Sequence, residues 1–207
     1  MNDITVEQGS YQWIENRLGK CTASRVYDIM PGKRGAYRAS RKAYMLELLA
    51  ERITGRELDN YVSKAMEWGI AQEGEARSVY EALSGNLVTE VGFIEHPTIE
   101  GLGGSADGLI GDNGSIEIKN PNTTTHLELI ATGDINSKYM YQMQTVMMCC
   151  NREYCDYIDY DSRCPEFAQY FTRRINADAQ MQLEIETEAV RFLAELDKLE
   201  DAIRSHE

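Results

Sequence analysis

The sequence has no run of about 18 apolar residues, so no transmembrane helix and no membrane partner are expected. Its first ten residues, MNDITVEQGS, hold neither a basic segment nor an apolar stretch, which predicts a cytoplasmic chain without a secretory signal. Histidine is scarce, and His96, His126 and His206 are far apart. Cysteine is scarce too: Cys21, Cys149, Cys150, Cys155 and Cys164 form an odd set with two neighbours adjacent. That suits reduced, buried thiols better than a disulfide framework. Cys or His pairs at short regular spacing are missing, so a zinc site is not expected. Positive charge is lacking overall. A net charge of −13 looks wrong for a protein that handles DNA, but the distribution matters more than the sum.

What is present is one dense basic segment. Between Arg17 and Lys42 stand eight basic residues, Arg34 among them, against the single acid Asp28. A chain with one basic segment and an acidic remainder can hold an anionic polymer on one face and repel it elsewhere. A solvated basic helix and loop would give the same composition.

The 207 residues fit one domain, 1–207, long enough to bury a full core. TASRVYDIM reads as a short helix capped by Thr22 or Ser24. SRKAYMLELLAERITG reads as an amphipathic helix with Ser40 at its start and Gly55 past its end. SKAMEWGIAQEGEARSVYEALSG reads as a second helix region ending at Gly85. LVTEVGFIEHP reads as a strand closed by Pro97. A hairpin follows over 103–121, then a helix in NSKYMYQMQTVMMCC, strands in EYCDYIDYD and EFAQYFTRRI, and a long C-terminal helix. In that last helix Leu183, Val190, Leu193, Leu196, Leu199 and Ile203 predict one apolar stripe for core or subunit packing. This order predicts an α/β (α+β) domain with a central mixed β-sheet flanked by helices.

The stretch GGSADGLIGDNGSIEIKNP carries the chemistry. In SIEIK the side chains alternate, so Glu117 and Lys119 share one face and Ile116 and Ile118 the other. DNG at 112–114 suggests a hairpin loop with Gly114 in the left-handed conformation. A turn centred on Asn113 pairs Gly111 with Ser115 and Asp107 with Lys119, which gathers Asp107, Glu117 and Lys119 on one face. A two-residue turn on Asn113–Gly114 would send Asp107 to the other face. Two carboxylates, with the Ile118 carbonyl, suit Mg²⁺, a hard ion that keeps several waters. Such an ion polarises a phosphate, and Lys119 beside it can orient water and stabilise developing charge. An EF-hand reading fails, because Ala106 and Gly108 would occupy its first and third positions. A surface ion pair on an edge strand remains the bland alternative.

Asp107 with Glu117-Ile118-Lys119 resembles the PD-(D/E)xK nuclease superfamily. WIENRLGKCTAS at 13–24, MEWGIAQEGEAR at 66–77, GSADGLIGDNGSIEIKNP at 104–121 and YMYQMQTVM at 139–147 occur in the order seen in the lambda exonuclease and YqaJ family of phage recombination nucleases. The resemblance implies a restriction-endonuclease-like core and a homotrimeric ring. It implies Mg²⁺-dependent 5′→3′ digestion of one strand of linear double-stranded DNA, with Mn²⁺ as a substitute ion and a single-strand annealing protein as partner. Asp107 and Glu117 would bind metal, Lys119 would assist the water, and Glu73 would hold a metal-bound water. Arg17, Ser24, Ser105 and Gln142 would line a 5′-phosphate pocket, with Tyr139 one helical turn before Gln142. Lys64 and Met66 would contact or wedge open the duplex end. Some members of the superfamily carry an iron–sulfur cluster on four cysteines, though the spacing here is unfamiliar. Ala106 replaces the proline of the superfamily name, and Asn120 a frequent cysteine. Alternatives are a restriction or repair endonuclease of the same superfamily, or a DNA-binding module with a decayed site. The intact acids and lysine argue against the last.

Overall fold

The computed structural model of the chain describes residues 6–32, 35–58 and 64–206, with side chains from Glu67 onward in the last stretch. Helices open the chain. α1 (Tyr11–Arg17) starts at Ser10, whose hydroxyl accepts from the Trp13 N–H. A short strand β1 (Cys21–Thr22) runs into a 3₁₀ turn (Ala23–Arg25) and the single-turn helix α2 (Val26–Ile29). The expected Thr22 or Ser24 cap is absent there: Thr22 precedes the turn without a side-chain cap. α3 (Ala39–Thr54) begins ahead of Ser40, also without a side-chain cap, and stops at Gly55. α4 (Lys64–Ser84) ends before Gly85, as expected.

The strand foreseen over 87–97 is two strands in two different sheets, β2 (Val88–Thr89) and β3 (Ile94–Glu95). Between them the Gln8 amide donates to Val91 O at 2.9 Å and to Ala106 O at 2.8 Å. A side chain from the N-terminal segment thus takes the carbonyl a ladder would have used. β4 (Leu102–Gly104), β5 (Gly108–Ile110) and β6 (Gly114–Lys119) follow. Next come α5 (Thr123–Thr132), α6 (Ser137–Cys150), β7 (Tyr154–Tyr160), β8 (Tyr170–Asn176) and α7 (Ala179–Arg204). The first residues of EFAQYFTRRI form a 3₁₀ turn (Glu166–Ala168) instead of strand.

The strands form a sheet in the order β1-β4-β3 and a larger mixed sheet in the order β2-β5-β6-β7-β8. Residues 105–107 carry the chain from one sheet to the other. β6 and β7 are parallel and central, joined through α5 and α6, and both are buried on both faces, as parallel strands require. Ile116 and Ile118 pack with Ala76 and Tyr80 of α4. On the opposite face Tyr157 and Cys155 pack with Met143 and Met147 of α6.

α7 covers α2 and α3 with Ile185, Ala189, Phe192, Leu193 and Leu196, and the Phe192 ring stacks on Tyr44 at 5.6 Å. The stripe expected for this helix is therefore only partly right. Leu193 and Leu196 are buried, but Leu183 and Val190 are more than half exposed. The helix carries apolar residues on two neighbouring stripes, and contact with α3 selects the one centred on Phe192.

Candidate active site

β5 and β6 pair Gly108 with Ile116, Leu109 with Ser115 and Ile110 with Gly114. The hairpin is thus centred on Asp112, not Asn113. Gly111 takes the left-handed conformation (φ 49°), while Gly114 is the first residue of β6. The expected pairing of Gly111 with Ser115 is off by two residues. A two-residue shift keeps every side chain on its face, so the convergence of Asp107 with Glu117 survives. Asp107 lies just before β5, and its Oδ2 accepts the Ile118 N–H at 2.6 Å.

Glu117 is almost completely buried, at 1% exposure, and neither carboxylate oxygen has a hydrogen-bond donor. Lys119 Nζ forms an ion pair with Glu117 Oε1 off the hydrogen-bonding direction. Burial pushes the Glu117 carboxyl up to about 8, with Asp107 and Glu73 adding to the rise and Lys119 opposing it. Asp107 is also raised by burial, against the pull of Lys119 and the Ile118 N–H. For Lys119, burial disfavours the ammonium, but Glu117 and Asp107 outweigh it and hold the charge above its usual range. The Tyr139 ring centre lies 5.0 Å from Lys119 Nζ, so Tyr139 joins the lysine directly.

Glu73 reaches the same group from α4. Burial and Asp107 raise its carboxyl, and Arg77 and Lys119 counter this. Arg77, one turn further along α4, donates to Glu73 Oε1 at 2.9 Å and also pairs with Glu90. Sequence reasoning passed over Arg77, although an i,i+4 acid–arginine pair is a legible helical signal. Asn120 Nδ2 donates to Gly69 O at 3.1 Å, tying the end of β6 to α4.

This donor set fits a hard divalent cation. Two carboxylates and the Ile118 carbonyl are all oxygen, and the buried Glu117 carboxylate has the Lys119 ammonium beside Oε1 and no hydrogen-bond donor at Oε2 among the described residues. Among the described residues no three His, Cys, Asp or Glu side chains gather as an all-protein metal cage would need. A Mg²⁺ ion, which keeps several waters, needs no such cage. The same absence weighs against a cysteine-held cluster: all five cysteines are free, and burial raises the thiols of Cys21, Cys149, Cys150 and Cys155.

A second group forms beside the first. Trp13 Nε1 donates to Ser105 Oγ at 2.9 Å, and the Arg17 guanidinium lies 4.2 Å above the Trp13 ring. Trp13 therefore links Arg17 to Ser105. Ser24 Oγ is 3.4 Å from Thr22 Oγ1 on the 3₁₀ turn. A Cβ at Gly104 would come 2.8 Å from the Ala23 Cβ and 3.2 Å from Val146 Cγ2, so the 3₁₀ turn, the end of β4 and α6 meet here. Gln142, one turn before Val146, is half-buried. Gln144 is fully buried and structural: it donates to Asn176 O and accepts from the Asp178 N–H. Arg17 has no carboxylate at ion-pair distance among the described residues, and burial lowers its pKa.

The basic segment is not the open cationic surface its composition suggested. Lys20 pairs with Glu95, Arg25 with Asp28 and Glu47, and Arg41 with Glu195. Arg38 donates to Tyr27 O and Met30 O. Arg34 and the side chains of Lys64 and Met66 lie outside the described residues.

Residues 12–153 match the YqaJ-like viral recombinase domain. The chain belongs to that family. Among solved structures, it is 47% identical to LHK-Exo, an alkaline exonuclease from Laribacter hongkongensis, over 95% of this chain and 97% of that one. The TM-score is 0.89, and 0.90 for the structure of LHK-Exo in complex with dAMP. A phage-related exonuclease from Haemophilus somnus 129PT shares the fold at 15% identity, with a TM-score of 0.71 over 92% of this chain and 99% of that one. Comparison with curated proteins finds no match. The YqaJ-like chain thus has the PD-(D/E)xK-type mixed α/β fold, with Ala106 in the place of the motif's proline.

Proposed function

We propose that the protein is a metal-dependent exonuclease that digests one strand of linear double-stranded DNA in the 5′→3′ direction and leaves 3′ single-stranded overhangs. The observation that carries this reading is the group formed by Asp107, the buried Glu117 and Lys119, near Trp13, Arg17 and Ser105, in a chain 47% identical to an alkaline exonuclease. Asp107, Glu117 and the Ile118 carbonyl would hold Mg²⁺, or Mn²⁺ in its place. Bound there, the ion would supply Lewis-acid polarisation of the scissile phosphate. Lys119, held charged by two carboxylates, orients the attacking water and stabilises negative charge as it develops on phosphorus oxygens. Glu73, steadied by Arg77, faces the same water. Arg17, Ser24, Ser105 and Gln142 receive the 5′-phosphate, for which the paired donors of a guanidinium are suited. Lys64 and Met66 bear on the duplex end, and Tyr139 backs the lysine.

In this reading the whole chain, 1–207, is one nuclease domain. It acts as a homotrimeric ring in the cytoplasm of a bacterial host and hands its 3′ overhangs to a single-strand annealing protein for phage-type recombination. The test is digestion of 5′-phosphorylated linear duplex in Mg²⁺ or chelator, beside a covalently closed circle. Release of nucleotides from the linear duplex only, and only with metal, is expected. Cutting of the circle would make the protein an endonuclease instead.

A further inference from the structure

The chain crosses between its two sheets twice. It leaves the larger sheet after β2 and enters the smaller one at β3, then returns through residues 105–107 between β4 and β5. Neither crossing belongs to a strand, so the ladders stop short of both. One side chain spans them. Gln8 Nε2 donates to Val91 O on the outward crossing at 2.9 Å and to Ala106 O on the return at 2.8 Å. A primary amide has two N–H donors, one for each carbonyl. Val91 and Ala106 are buried, whereas Gln8 itself is exposed. The backbone ahead of it is closely seated too: a Cβ at Gly92 would come 2.6 Å from Val6 O.

Each carbonyl is one residue from a group that leads into the candidate active site. Ala106 precedes Asp107, whose Oδ2 accepts the Ile118 N–H at 2.6 Å. Val91 follows Glu90, which pairs with Arg77, and Arg77 donates to Glu73 Oε1 at 2.9 Å. Asp107 lies outside a strand and Glu73 lies on α4, so no single element sets the spacing of the two acids. The Gln8 amide closes that gap. On one side it holds Ala106 and so Asp107; on the other it holds Val91, and through Glu90 and Arg77 it reaches Glu73.

We propose that Gln8 is a positioning residue for the metal site. Acting through the backbone, it ties the two crossings together and so fixes Asp107 relative to Glu73. This assignment rests on the metal-dependent nuclease reading. Groups that orient metal ligands without touching the ion set its affinity by about 10–100-fold. An exposed glutamine fills no part of the core, so its loss acts on the site more than on the fold.

The test reads metal binding without DNA, as the paramagnetic-resonance signal of free Mn²⁺, beside Mg²⁺-dependent digestion of linear duplex. Gln8→Met keeps the side-chain length and removes both donors. It should raise the Mn²⁺ concentration for half-saturation, and the Mg²⁺ concentration for half-maximal digestion, by about 10-fold each. The rate at saturating metal and half-saturation by DNA ends should stay within about 3-fold. Gln8→Glu, of the same shape but with acceptors facing two carbonyls, should lose at least as much. Gln144→Met is the structural control, since Gln144 also joins two backbone groups. It should lower Tm and leave both metal midpoints within about 3-fold. Unchanged midpoints in both Gln8 variants, or an equal rise in Gln144→Met, overturn the positioning role. If the wild-type protein binds no Mn²⁺ and digests nothing, the metal-dependent reading itself fails and the role of Gln8 falls with it.

Discussion

Glu117 is a carboxylate in a place that disfavours its charge. Its carboxyl, pushed up to about 8 by burial, keeps a proton in the folded chain that the unfolded chain sheds near 4.5. Folding therefore takes up a proton between those values. The stability present below pH 4.5 is lost as pH rises through about 8, and the raised Asp107 and Glu73 carboxyls act in the same direction. The metal-free protein should lose roughly 5 °C or more in Tm between pH 5 and 8.5 by scanning calorimetry. Glu117→Gln should flatten that slope. Added Mg²⁺ should raise Tm more at pH 8.5 than at pH 6, because the site must shed its proton to bind. At Lys119 the change is in chemistry: Lys119→Ala should lower kcat about 10²–10³-fold and leave half-saturation by DNA ends within about 3-fold. An equal fall in binding would make Lys119 a DNA anchor instead.

Among the elements, α5 shows most plainly what the sequence conceals. TTTHLELIAT opens on three β-branched residues and has no strong helical stripe, so its pattern does not point to the helix it forms. Asn122 caps it, but a partner 33 residues away fixes it. His126, fully buried, holds Asp159 Oδ1 at 2.5 Å through Nδ1 and Ala168 O at 2.7 Å through Nε2. A carbonyl only accepts, so Nε2 carries a proton, and a second proton lies between Nδ1 and the carboxylate. Removing one partner, as in His126→Ala, should cost about 3–5 kcal/mol in urea unfolding, whereas replacing both by leucine should cost less than the two single changes combined. The Glu117–Lys119 face was legible because alternation is a local rule, and the face of Asp107 survived a register error because two residues complete the period of a strand. The turn was misplaced because Asp112-Asn113-Gly114 and Gly111-Asp112-Asn113 are both credible turns. Gly111→Val should therefore cost about 1 kcal/mol or more through its positive φ. Trp13 as a bridge depends on contacts between distant segments, and no local pattern announces those.

Across the whole molecule, charge confines the DNA. Among the described residues of the basic segment, Lys20, Arg25 and Arg41 are engaged in internal pairs with Glu95, Asp28, Glu47 and Glu195, and the remainder of a chain of net −13 repels a polyanion. Few phosphates can be engaged per protomer. The slope of log affinity for DNA ends against log salt should be shallow, about −2 to −3 per protomer measured by anisotropy, and a much steeper slope would reveal a second basic tract. Sedimentation at micromolar concentration should give the mass of three chains, and a monomer mass would count against the ring.

The short crossing between the two sheets has a consequence for product size. Ser105, which in the proposed reading would face the end of the strand, and Asp107, which would stand beside the bond to be cut, are separated by Ala106 alone, which is fully buried. Two residues of extended backbone reach about 7 Å. On that reading the crossing would act as a covalent ruler set to one nucleotide per cut. Insertion of a single residue beside Ala106, if the chain still folds, should not merely slow digestion. It should shift part of the product from mononucleotides to dinucleotides.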